Sequence, residues 1–130
     1  MRKDLIESNP ILKLSFDFAL MIINYSESLE SKRKYVISNQ LLKSGTSIGA
    51  NAMEAQNSES KADFIHKMKI AAKETEESQY WLTLCDYAPQ FPDCKSLLSK
   101  LEEIQKILAA IIFSSKRKNP ISFLLSFLIF

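Results

Sequence analysis

The chain has 130 residues, 46% of them hydrophobic and 25% charged, with 17 Lys+Arg against 15 Asp+Glu and a net charge of +2. That length serves one domain with a single core. With 2 Gly and 4 Pro, it lacks the turn residues that a many-stranded β fold needs. The net charge is too small to announce nucleic-acid binding. The 2 Cys and the charged start Met1-Arg2-Lys3-Asp4, which is no secretory signal, lead to the expectation of a reducing cytoplasm.

Four segments carry helical periodicity. Asn9 as cap and Pro10 in the first turn open the first, whose Ile11, Leu12, Leu14, Phe16, Phe18, Ala19, Ile22 and Ile23 run to about Tyr25. The polar stretch from Ser26 to Arg33 reads as a connection. A second helix follows from about Lys34 to Gln56, with Ile37, Leu41, Ser44, Ile48, Ala52 and Ala55 stacked at steps of three and four. Gly45 and Gly49 interrupt it, each at a cost of about 1 kcal/mol relative to Ala, which points to close helix packing.

Ser60 with Asp63 is a capping-box variant opening a third helix, from roughly Glu59 to Tyr87. Its Phe64, Met68, Ala71, Thr75, Ser78, Leu82 and Cys85 alternate by four and three, a seam for shallow-angle packing. Pro89 and Pro92 end it. The fourth helix, capped by Asp93, uses Leu97, Leu101, Ile104, Leu108 and Ile111 and closes at the basic run Lys116-Arg117-Lys118. The expected architecture is therefore all-α, an antiparallel up-down-up-down four-helix bundle over 1–118. Residues 119–130 form a separate apolar tail, about half the length that spans a bilayer. Such a tail is expected to be covered by the bundle or a neighbouring subunit, ahead of disorder and, last, of contact with a membrane surface, which a basic run before an apolar end also suits.

Chemistry-bearing groups are sparse. One histidine, His66, excludes a site of paired histidines, and no Glu-x-x-His pair for a di-metal centre exists. No metal or cofactor is expected. Cys85 and Cys94 are nine apart, unlike close zinc or redox pairs, and read as buried thiols. Gly45 and Gly49 lie within a helix, not in a phosphate-binding loop. The second helix carries a polar stripe of Gln40, Ser44, Ser47, Asn51 and Glu54 at steps of four, three, four and three. Groups beside a core must be paired, and Lys69, Lys73, Glu74, Gln79 and Tyr80 are the candidate partners, within one subunit or across a boundary. Two basic runs remain, Lys32-Arg33-Lys34 and Lys116-Arg117-Lys118. In an up-down bundle they lie at opposite ends, so only assembly gathers each into a positive collar able to hold phosphates.

The stretch from Tyr35 to Ala55, with Gly45-Thr46-Ser47-Ile48-Gly49 at its centre, resembles the bacterial four-helix-bundle family named for the protein encoded in intervening sequences of 23S ribosomal RNA genes. Phe16-Asp17-Phe18-Ala19, Phe64-Ile65-His66-Lys67-Met68-Lys69-Ile70-Ala71 and Glu77-Ser78-Gln79-Tyr80-Trp81-Leu82 continue the likeness, which spans about residues 4–116. That family is similar in turn to the accessory variability determinant proteins of diversity-generating retroelements, basic homopentameric barrels that contact a reverse transcriptase and nucleic acid. The resemblance implies a four-helix bundle, a homopentamer and a nucleic-acid-related role, with no catalytic residues to carry over. Two departures stand out: the near-neutral charge, and the apolar tail after Pro120. The leading expectation is a non-enzymatic, self-associating bundle that binds structured RNA or a nucleic-acid-processing partner such as a reverse-transcriptase-like protein. A protein-binding adaptor is the second, and an enzyme, which needs a pocket with a perturbed titratable pair, is the third.

Overall fold

The computed structural model describes residues 2–117; the apolar tail, Lys118 and the boundary at 118 lie outside that range. Among the described residues the chain is all-α, with five helices in the order α1 (Lys3–Ser8), α2 (Pro10–Ser31), α3 (Tyr35–Ala55), α4 (Lys61–Tyr87) and α5 (Lys95–Ser115). The four long ones pack in a closed circuit, α2 on α3, α3 on α4, α4 on α5 and α5 back on α2, with α1 against α2. No described helix is long and apolar enough to cross a membrane.

The core lies where the four-three spacing puts it. In α4 the buried residues are Phe64, Met68, Ala71, Thr75, Ser78, Leu82 and Cys85, the whole sequence-derived seam. In α5, Leu97, Leu101, Ile104, Leu108 and Ile111 are buried, and α2 adds Phe18, Ile22 and Leu29. Each such large side chain contributes about 1.5–3 kcal/mol. Helix α3 supplies little volume, and its glycines let α2 approach. A Cβ at Gly45 would stand 2.8 Å from Ile22 Cγ1, and one at Gly49 3.2 Å from Ser15 Oγ.

Several boundaries differ from the sequence expectations. The short α1 has no counterpart among them. The polar stretch after Tyr25 is not a connection: α2 continues to Ser31. Tyr25, Ser26 and Leu29 keep the buried spacing, while Ser28 and Ser31 donate their hydroxyls to the carbonyls of Tyr25 and Ser28 at 2.6 and 2.7 Å. Serines bonded back to the preceding turn satisfy themselves without leaving the helix. Phe16 and Ile23 are no core residues, being 40% and 39% exposed. Asn9 makes no side-chain cap; its amide donates to Gln56 Oε1 at 3.5 Å. At α5 the cap position is Cys94, whose thiol donates to the Leu82 carbonyl at 3.3 Å, while the Asp93 carboxylate one residue earlier accepts the Lys95 N–H at 3.3 Å. The Ser60 cap is present, accepting from the Asp63 N–H at 3.0 Å.

Candidate functional site

The first basic run is the C-terminal cap of α2. Lys32 is the cap residue, Arg33 adopts φ 60, the Arg33 N–H donates to the Glu30 carbonyl, and the Lys34 N–H donates to the Leu29 carbonyl, both at 2.9 Å. This is a Schellman arrangement with arginine where glycine is usual. Lys34 places its ammonium 5.2 Å from the Phe91 ring centroid, beyond the end of α4. The second run sits at the other end of α4. The Lys61 ammonium donates to the Arg117 carbonyl, and the Arg117 guanidinium lies 5.1 Å from the Phe113 ring centroid. A 27-residue α4 is about 40 Å long, so the two runs are far apart within one subunit.

The polar stripe of α3 divides by depth. Ser44 is buried and accepts from the Ser78 hydroxyl at 2.8 Å, a residue outside the expected partner set. Ser47 donates to the Lys43 carbonyl at 2.6 Å and Asn51 to the Ser47 carbonyl at 2.8 Å, both within α3. The Glu74 carboxyl on α4 has its pKa raised, first by burial and then by Glu77, with Ser47 acting against the shift. Gln40 is half-buried and Glu54 exposed. Ser44 to Ser78 thus links the stripe to α4, while Gln79 bonds Gln105 at 3.0 Å instead.

Two surface features escaped the sequence reading. On α2, Phe16, Leu20 and Ile23 lie at steps of four and three and are 39–49% exposed, an apolar stripe facing away from the core. Between α4 and α5 runs a groove of about 520 Å³ with Lys69, Lys73 and Lys116 on its walls and Ala109, Ile112 and Phe113 along it. None of these lysines has a carboxylate within ion-pair distance among the described residues. The 69–73 spacing on one helix face was the available signal; their convergence with α5 required the fold.

Asp63 pairs with Lys67 at 3.6 Å, and His66 is exposed. Burial pushes the Cys94 thiol up to about 11 and raises Cys85 as well. Tyr25 donates to the Pro92 carbonyl at 2.8 Å. Protonated buried thiols are poor nucleophiles and poor metal ligands. Among the described residues no group of three or more His, Cys, Asp or Glu converges on a metal position.

Comparison with known proteins agrees with this picture. No curated protein matches the chain. A solved structure, that of a protein of unknown function from the S23 ribosomal protein family of Bacteroides thetaiotaomicron VPI-5482, is similar at 41% identity with a TM-score of 0.75, over 78% of this chain and 97% of the other. The sequence pattern of the 23S rRNA-intervening sequence proteins matches residues 7–110. Four long packed helices, a glycine-bearing α3 and a match over most of the chain therefore lead to one assignment: the protein belongs to the 23S rRNA-intervening sequence protein family.

Proposed function

We propose that the chain is a non-enzymatic, up-down-up-down four-helix bundle of the bacterial cytoplasm that self-associates as a homopentamer and binds structured RNA or a nucleic-acid-processing partner. The observation that carries this reading is the outward stripe Phe16, Leu20 and Ile23 on α2, an apolar surface that a second copy can cover. Contacts of Asn9 with Gln56 and of Lys61 with Arg117 support the alternating helix order, since each joins the start of one helix to the end of another. Assembly multiplies Lys32, Arg33 and Lys34 at one end and Lys116 and Arg117 at the other, turning a weakly charged chain into a particle with positive rims.

The test is a gel shift of the full chain with a structured 23S ribosomal RNA fragment over a salt series. Binding that weakens steeply as salt rises supports the reading, and no shift even at low salt overturns it. An adaptor role is favoured by one observation, the exposure of Tyr35, Val36 and Tyr87. It predicts partners that survive nuclease treatment in a pull-down.

A further inference from the structure

We propose that the α4–α5 groove is a binding site for single-stranded RNA, with Lys69, Lys73 and Lys116 holding phosphates and Phe113 stacking a base. This rests on the RNA-binding reading above and gives it a place on the molecule. Lys69 and Lys73 are one turn apart on α4, about 6 Å along the axis, and both are exposed. Lys116 adds a third cation to the groove from the end of α5, next to Arg117, whose carbonyl receives the Lys61 ammonium. Glu76 is an opposing acid on the wall. The cations have no ion-pair partner among the described residues, so phosphate contact displaces only water and counterions.

The apolar part decides between ligand classes. Phe113 is 64% exposed at the edge of the groove, with the Arg117 guanidinium over one face of its ring, so a base stacks on the opposite face. An exposed aromatic ring flanked by cations along a groove is the arrangement that single strands use, phosphates on the charges and a base on the ring. A duplex, whose bases are stacked inward, has no use for the ring. By contrast, the hollow lined by Glu54, Glu59, Asp63 and Lys67 carries mostly acids and repels phosphate.

The experiment is fluorescence anisotropy of a labelled oligouridylate and a labelled RNA duplex, with the full chain and four variants. Lys69→Gln with Lys73→Gln should lower the salt slope for the oligouridylate by about 1.4, since each single-strand phosphate contact contributes about 0.7. Phe113→Ala should weaken it about 10-fold, and Phe113→Tyr should leave it unchanged. Lys95→Gln, at the start of α5 and far from Lys116, should have little effect on the oligouridylate. If the wild type binds RNA but the groove variants match it, the groove assignment falls and the RNA reading survives. If the wild type binds neither RNA, both fall. A duplex preference that ignores Phe113, or binding loss that tracks loss of assembly in light scattering, also overturns the groove as a single-strand site.

Discussion

Ser78 donates its hydroxyl to Ser44 Oγ at 2.8 Å across the seam between α4 and α3, both side chains being buried. Removing either partner leaves a buried hydroxyl unpaired, at a cost of about 1–3 kcal/mol. Ser44→Ala and Ser78→Ala should each destabilise by about that much. The double variant should cost clearly less than their sum, because it leaves no orphan. Urea unfolding of the four proteins gives the coupling directly, and additive losses contradict the link.

The two glycines of α3 should respond differently to alanine. At Gly45 the added Cβ meets Ile22 at Cγ1, Cγ2 and Cβ within 3.3 Å, and a buried β-branched residue yields little. Overpacking of about 1–3 kcal/mol outweighs the helix-propensity gain of about 1 kcal/mol, so Gly45→Ala should lower the melting temperature. At Gly49 the nearest atom is Ser15 Oγ at 3.2 Å, which needs to give only a few tenths of an ångström, and the next contacts lie at an ordinary 3.5 Å. Gly49→Ala should be neutral or slightly stabilising. Thermal melts by circular dichroism rank the two.

Arg33 at φ 60 carries a left-handed backbone that favours glycine. Arg33→Gly should stabilise the fold by about 1 kcal/mol through the α2 cap, even though it removes a charge. Chemical denaturation measures this; destabilisation would show that the Arg33 side chain, not its backbone, matters at the cap.

Glu74 makes stability depend on pH. Its folded pKa is raised, by burial first and Glu77 second, so the folded state binds more proton than the unfolded chain between the ordinary value of 4.5 and the raised one. Stability therefore falls as pH rises through that window. Glu74→Gln should raise the melting temperature at neutral pH, and the gain should fade below about pH 4, where both states are protonated. Melts across a pH series check both halves.

The outward stripe of α2 should be dispensable for the fold and necessary for assembly. Leu20 is 49% exposed, so Leu20→Lys should leave helicity and the monomer's unfolding nearly unchanged. Placing a charge in a covered apolar contact should lower the particle mass in light scattering.

Much of the fold was legible because spacing alone fixes which side of a helix is buried: Phe64 to Cys85 in α4 and Leu97 to Ile111 in α5 follow directly. Phe16 and Ile23 defeated that logic, since apolar composition does not say whether a side chain meets the core or another surface. The serines after Tyr25 look like a break until Ser28 and Ser31 are seen bonded to their own helix. The α3 stripe was readable as polar, but its depth was not. Which polar residue meets which depends on the rotation of α3 against α4, and that paired Ser44 with Ser78. The groove stayed hidden for a similar reason: Lys73 and Phe113 are 40 positions apart, and only the α4–α5 packing unites them.

The most direct test is the mass of the purified full chain by multi-angle light scattering at micromolar concentration. A particle five times the mass of the 14.8 kDa chain is the predicted result, and a particle of 14.8 kDa contradicts it.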